Sequence, residues 1–373
     1  MSEPQSASGT LTSLQSAAAA LLDGLTPVAS RLLSLDQALG CVAAQMPPSA
    51  LAHPARNIAL SDGWAFRALD LVGASAYSPV PLPRPPVWVE AGDAMPDGCD
   101  CVIDADLVDS VGPLPQVLAE AVPGQGVRRA GEDLKAKSPI AIEGRKLSAI
   151  DILAARSMKI GEIAVRRPRV RLIDVSAASG EQATTQFAAR MARQSGAEVD
   201  IETVARDAVS IAEALDGGGC DLILLVGGTG AGRTDATAAA LAAKGALLAH
   251  NIALQPGRTA AVGRLHGIPA IALPGSADQA FAAFLALAQP TLDRLCAMPA
   301  RQGVALPLTR KIASTVGIAE IALLKHERTS WTPLAVGDLP LDAMRQADGW
   351  LVIPGDSEGH AAGTPVAASL LCG

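Results

Sequence analysis

The sequence predicts a multidomain α/β plus β protein: a parallel α/β domain in the second half of the chain, a small β-rich domain in the first half, helical segments that open and link them, and a β domain at the end. Three observations lead there. The apolar run 222–226, between Asp221 and the pair Gly227 and Gly228, has the length and composition of a strand buried on both faces. Strand-like and helix-like segments alternate from 170 to 244, which implies parallel strands, right-handed crossovers and a ligand crevice at the strands' carboxyl ends. The stretches 79–109 and 304–371 carry short apolar runs punctuated by proline and glycine.

Taken in order, residues 11–22 and 34–45 have helical periodicity, the second capped by Ser34 or Asp36 and ended by Pro47 and Pro48. Asp62-Gly63 is a turn signal, read either as a hairpin turn or as a carboxylate on a rim, free to hold a cation or a hydroxyl. Strands are expected at 87–90 and 101–103. The second runs into Asp104, Asp106 and Asp109, which lack the glycine and terminal glutamate of a Ca²⁺ loop and read as a solvated acidic edge. Arg128, Arg129, Glu132 and Asp133 surround Gly131 in a turn able to grip a phosphate or to pair with itself. A helix at 147–158, capped by Ser148, precedes a strand at 162–165 and a basic run around Pro168 that reads as a domain junction.

The α/β domain follows: strands 170–175, 198–204 and 222–226, and helices 184–194, 207–215 and 236–244, the last capped by Thr234 or Asp235. A strand at 250–254 breaks into a turn at Pro256-Gly257 that puts Arg258 on the same rim. The strand 267–273 ends in Pro274-Gly275-Ser276, and Ser276 begins a long helix, 277–295, a second helix start ready for an anion. Strands at 306–313, 319–325, 349–353 and 365–371 make the last domain. The expected boundaries are 1–45 with 146–167, 46–145, 168–298 and 299–373.

Strand, glycine turn and helix together form an anion-binding geometry, because N–H groups left free in the turn and the first helical turn point outward. Gly227, Gly228, Thr229, Gly230, Gly232 and Arg233 are therefore candidate ligand-binding residues. Gly227, Gly232, Arg233 and Thr234 also fit the spacing of a nucleotide-hydrolysing phosphate loop, with arginine in the place of its lysine; an arginine fork does not fill the space of a compact ammonium. A tight turn whose glycines serve packing alone is the third reading.

At 373 residues and 49% hydrophobic, the chain can bury more than one core, and with only 2% aromatics those cores must be built from small aliphatic residues. A formal net charge of −7 argues against non-specific nucleic-acid binding, which needs a basic face. No apolar run reaches a membrane span and residues 1–10 lack a secretory pattern, so a cytoplasmic protein is expected. The six cysteines, at 41, 99, 101, 220, 296 and 372, form no C-x-x-C pair; reduced core thiols are expected, and Cys99 with Cys101 makes a weak metal case.

Together the segments resemble the molybdopterin molybdotransferase family, of the MoeA and gephyrin E-domain type, over nearly the whole chain. Ser61-Asp62-Gly63-Trp64-Ala65 is similar to its M-D-G-Y-A, the stretch 91–100 to T-G-A-x-x-P-x-G-A-D, and the stretch 128–133 to R-R-x-G-E-D. The stretch 227–235 resembles S-G-G-V-S-V-G-x-x-D, Pro256-Gly257 resembles K-P-G-K-P, and Leu273-Pro274-Gly275 resembles L-P-G-N-P; the match continues through 308–314. The resemblance implies a MoeA-like architecture with a barrel-like C-terminal domain and an elongated homodimer. In it the third domain binds adenylylated molybdopterin, and an acidic cleft shared with the partner's second domain receives molybdate, with AMP released. It implies Mg²⁺ as cofactor, and an adenylyltransferase or a client molybdoenzyme as partner.

By the same resemblance Asp62, Asp133, Asp221, Asp235 and Arg258 are catalytic candidates. Gly227 to Gly230, Gly232, Arg233, Gly257, Pro274, Gly275 and Ser276 are ligand-binding candidates, and Asp62, Asp235 and Glu181 are metal candidates. The chain departs from the pattern at Ala91 for threonine, at Gln255 and Arg258 for two lysines, and at Ser276 for asparagine. The family's S-T-G-D-E loop is shortened to 174–181, where Glu181 is a candidate to replace its carboxylate and the sequence does not decide whether it does. Those departures keep a second function open, a catalytically impaired homologue that binds cofactor or a partner, beside the third, a phosphate-loop NTPase.

Overall fold

A computed structural model describes residues 11–46, 48–82, 85–109, 114–175 and 182–371. Its central sheet has six strands in the order Glu198–Val204, Arg169–Val175, Leu222–Val226, Ile268–Leu273, Ala261–Leu265, Leu247–His250. The first four run parallel, Ala261–Leu265 runs antiparallel to them and Leu247–His250 antiparallel to it in turn, so the expected parallel sheet carries an edge with antiparallel pairing. That edge is made by a two-residue hairpin at His266 and Gly267, both at positive φ, the geometry that matches strand twist. Leu222–Val226 is buried throughout, as its unbroken apolar run requires.

The expected helix over 277–295 is continuous in path but not in hydrogen bonding. Pro290 has no N–H to offer the preceding turn, and residues Phe284–Ala288 widen into a π segment before Gln289–Leu295 resumes. The expected helix over 34–45 shrinks to one turn, Leu35–Ala38, after which Gly40, at φ 77°, reverses the chain into the strand Val42–Ala43. That strand and Arg31–Ser34 flank Glu162–Arg166 in a three-stranded sheet. Residues before them pack elsewhere: Ala17 and Leu21 of the helix Leu14–Leu22 lie in the α/β core, and Thr12–Ser13 pairs with Ile252–Gln255. The helix Ala149–Ser157 starts as expected, with Ser148 and Asp151 forming a reciprocal capping box.

In the small domain Gly63–Phe66 lies between Val87–Val89 and Cys101–Ile103, and Trp64 meets Trp88 edge to face at 5.0 Å. Gly63 is therefore inside a strand rather than in a hairpin turn. A Cβ there would sit 2.4 Å from the Ile103 carbonyl oxygen, which explains the glycine.

One strand joins the domains. Ile252–Gln255, which the sequence assigns to the α/β domain, pairs in parallel with Ala319–Glu327 of the C-terminal sheet. Ser330–Val336, Gly349–Ile353, Pro365–Leu370 and Val304–Pro307 complete that sheet around the buried Trp331. The short helix Leu341–Gln346 and the strand Ser330–Val336 were not legible as such. The turn after Gln255 is thereby delivered to the boundary between two domains.

Candidate active site

Three backbone segments meet at the carboxyl ends of the parallel strands. The glycine turn leaves Leu222–Val226 with Gly227 and Gly228 at φ 96° and 65°. Its geometry is fixed by close approach: a Cβ on Gly227 would lie 2.9 Å from the Val175 carbonyl oxygen, and one on Gly228 2.7 Å from Thr237 Oγ1. Thr237, buried at the first helical position, donates its hydroxyl to the Gly227 carbonyl at 2.8 Å. The helix Thr237–Ala243 is preceded by Ala236, not by a capping Thr234 or Asp235 side chain.

Asp235 has another task. Its Oδ2 accepts the Gly232 N–H at 3.0 Å, the Gly230 N–H also bonds to the carboxylate, and Oδ1 pairs with the Arg206 guanidinium. Burial pushes the carboxyl pKa upward, but the Arg206 hydrogen bond, the glycine N–H groups and the Arg206 charge outweigh it and hold Asp235 below the usual aspartate range. The Gly227 N–H is also occupied, by the Leu273 carbonyl at 2.9 Å. The turn is thus a nest closed on the chain's own carboxylate, which corrects the expectation that Gly227, Gly230 and Gly232 present free donors to a ligand. It also removes the phosphate-loop reading, because the Gly232 donor that reading needs for phosphate is bonded to Asp235.

The second segment is the turn Gln255 to Thr259. Thr229, buried in the middle of the glycine turn, shares a hydroxyl hydrogen bond of 3.1 Å with Thr259, and its carbonyl accepts from His250 Nε2 at 3.0 Å. These two contacts tie the turn to the segment that carries Arg258. Gly257, at φ 116°, packs against Leu254 and the Gln279 carbonyl. The third segment is the helix start after Pro274. Gly275 lies against Gly227, its carbonyl accepts the Thr184 hydroxyl at 2.8 Å, and Ser276 is exposed with no side-chain cap bond. Between the second and third segments and the C-terminal domain opens a cleft of about 330 Å³, lined by Gln255, Arg258, Asp278 and Asp338 among others.

The remaining candidates lie apart. Asp221 sits at the opposite, amino end of its strand, where its carboxylate accepts the Arg169 N–H at 2.7 Å and faces the Arg169 side chain at 3.9 Å; it is a strand-start residue, not a cleft carboxylate. Asp62 accepts the Ala91 N–H at 2.8 Å, and Asp133 pairs with Arg128 at 2.5 Å, both within the small domain. The mixed-charge turn therefore pairs with itself. Arg233 is exposed, and Glu181 lies outside the described residues.

Among the described residues no three His, Cys, Asp or Glu side chains group as metal ligands. Burial pushes the thiols of Cys101 and Cys296 up to about 12, so neither is a nucleophile at neutral pH. Two residues that hold the site were missed. Arg206 follows a strand and looks like a surface charge, and Asp174 is an almost fully buried carboxylate that accepts the Thr185 and Thr203 hydroxyls.

Residues 12–158 match the family described as the MoeA N-terminal region, domains I and II, and residues 173–294 match a probable molybdopterin binding domain. The chain belongs to the MoeA family. Molybdopterin molybdenumtransferase 2 of Mycobacterium tuberculosis is 26% identical over 376 residues, covering 88% of this chain and 92% of that one. Molybdopterin molybdenumtransferase of Synechococcus elongatus is 26% identical over 385 residues, covering 92% of each. In fold, the molybdopterin biosynthesis MoeA protein from Pyrococcus horikoshii superposes with a TM-score of 0.70 at 22% identity, covering 96% of this chain and 100% of that one. The MoeA architecture, an α/β domain with β-rich domains around it, is thus shared over almost the full length.

Proposed function

We propose that this chain acts in molybdenum cofactor biosynthesis, inserting molybdate into adenylylated molybdopterin with release of AMP. The observation that carries the reading is the convergence of the Asp235-closed glycine turn, the Arg258 turn and the Ser276 helix start at one crevice, in a chain of the MoeA family. In this reading the first N–H groups of the long helix and its dipole hold a phosphate of the substrate, and Arg258 faces the negative charge of the oxyanion. The closed nest fixes the shape of the crevice floor rather than binding the ligand itself. Mg²⁺, which the resemblance implies, finds no ligand set in the described residues of one chain, so no step is assigned to it.

The test is AMP release from adenylylated molybdopterin in the presence of molybdate, together with rescue of a strain that lacks its molybdotransferase. Gly230→Val is expected to weaken substrate binding at least tenfold, about 1.4 kcal/mol, because its Cβ would stand 2.7 Å from Asp235 Oδ2 and force the nest open. Unchanged affinity in the folded variant assigns the nest to packing alone.

Asp62 and Asp133 enter this reading through a second copy. An elongated homodimer would bring the small domain of one chain to the crevice of the other, consistent with their described partners lying inside that domain. Light scattering at micromolar concentration is expected to give the dimer mass, and a monomer would remove both carboxylates from the mechanism. The cleft favours a second reading as well: among the described residues Arg258 is its one basic lining residue, against Asp278 and Asp338, which suits a homologue that binds substrate without rapid insertion. Substrate binding without AMP release at any molybdate concentration would establish that reading instead.

A further inference from the structure

We propose that a cavity between the α/β domain and the C-terminal domain binds a small, uncharged molecule with a flat apolar body. The cavity holds about 460 Å³, within the range of small-ligand sites, which favour domain boundaries. The chain has only four tryptophans, four phenylalanines and one tyrosine, yet Phe187, Phe281 and Trp350 all line this one space. Phe187 and Met191 stand four residues apart on one stripe of the helix Ala183–Gln194, and the Phe187 and Phe281 ring centroids are 5.7 Å apart. The π segment Phe284–Ala288 adds Leu285 to the wall, and such segments recur at functional sites. Met344 of the helix Leu341–Gln346 closes the space from the C-terminal side. At the mouth Leu341 and Leu370 are 74% and 42% exposed, an apolar rim that a bound molecule would cover.

Charge decides what kind of body enters. Among the described residues the charged ones that line the cavity are Lys146, Arg301 and Arg345, and each is already engaged within the chain. Arg301 makes two hydrogen bonds, of 2.6 and 2.9 Å, to Asp293; Arg345 pairs with Asp342 at 3.0 Å; and Lys146 has a partner of its own. The buried polar groups on the wall are engaged too. The Ser195 hydroxyl meets the Met191 carbonyl at 2.9 Å and Gln289 Oε1 at 3.1 Å, and Gln289 Nε2 donates to Asp293 at 2.9 Å. A carboxylate drawn into this space would give up its water without gaining a free cation, or would have to break one of these pairs. An ammonium would lose its water as well and would face three like charges. An uncharged body meets neither cost and still removes its apolar surface, and that of the walls, from water.

The experiment titrates the full chain at neutral pH with three probes of one shape, 4-phenylbutanamide, 4-phenylbutyrate and 4-phenylbutylammonium, by calorimetry. The amide is expected to bind at least tenfold more tightly than either ion and, because its site spans two domains, to raise the thermal midpoint. Met344→Trp should fill the cavity and abolish amide binding. Asp293→Asn, which releases the Arg301 guanidinium, should raise the affinity for the carboxylate at least fivefold while leaving that for the amide within twofold. Leu341→Asp, at the exposed mouth, should weaken the amide at least threefold, and it decides the matter should the thermal midpoint show that a buried variant has not folded. Equal or tighter binding of either ion, amide binding that survives Met344→Trp in a folded chain, an amide affinity indifferent to Leu341→Asp, or no heat from the amide at millimolar concentration would each overturn the proposal. So would amide binding that is lost as the chain self-associates, since a second copy would then be the occupant.

Discussion

Replacing Asp235 by alanine is expected to abolish AMP release and to let added formate restore part of it. The carboxylate is the anion at the centre of the glycine nest, bonded to the Gly232 and Gly230 N–H groups and paired with Arg206, with only 11% of its side chain exposed. Its removal leaves inward-facing donors and a guanidinium whose Nε is already buried without a partner. Breaking a buried charge pair from one side costs about 3 kcal/mol or more, because the remaining charge stays uncompensated. Arg206→Ala in the same chain should recover part of that loss, which a double-mutant cycle in urea measures. The pH dependence has a defined sign. Asp235 titrates below its unfolded value, so its contribution is complete above about pH 4 and is lost as pH falls through the lowered folded value. The stabilities of parent and Asp235→Ala should therefore converge in acid. Formate, small enough for the vacated nest, should raise both stability and activity of the variant where chloride does not. A variant as stable and as active as the parent would show that the nest is incidental.

That role was not legible in the sequence, although the position was. The run 222–226 followed by paired glycines identifies a buried strand and a strained turn because apolar continuity and positive φ are local properties. What fills the turn depends on Arg206, a residue from another crossover, and no local pattern reports which carboxylate it meets. Asp221 failed for a different reason. Its place before the strand already puts it at the amino end, away from the crevice, and it was the motif resemblance that counted it among the cleft carboxylates; the parallel register adds that it lies beside Arg169. Ile252–Gln255 reads as a strand by composition alone; its transfer to the C-terminal sheet is a tertiary choice, and it is what brings Gly337 and Asp338 to Arg258. Gly63 misled through its neighbour Asp62, since the signal for a turn and the need for close backbone approach use the same residue. The family motifs located the crevice through residues whose partners only the fold supplies.

The substitution at Gln255 should then be the clearest measure of what this chain has lost, provided its neighbour is changed with it. Gln255 is exposed at the mouth of the Arg258 cleft, where the family resemblance places a lysine. It lies in register with Glu320, and both side chains border Gly337: a Cβ there would meet Glu320 Oε1 at 2.2 Å and Gln255 Cγ at 3.3 Å. An ammonium introduced by Gln255→Lys therefore meets the Glu320 carboxylate before it meets a ligand. A solvent-exposed pair of that kind is worth about 0–1 kcal/mol, enough to hold the side chain away from the cleft. Gln255→Lys alone is expected to raise AMP release only several-fold. With Glu320→Gln in the same chain the ammonium is left to the cleft, beside Arg258 and opposite Asp278 and Asp338. A single well-placed electrostatic donor is worth about 2.7–4 kcal/mol of barrier, so the double variant should gain on the order of a hundredfold, with most of the gain at low molybdate. The measurement is AMP release across a series of molybdate concentrations for the parent, both single variants and the double. Additive single effects would separate Glu320 from the lysine position, and no gain in any variant would remove the cleft beside Arg258 from the oxyanion's path.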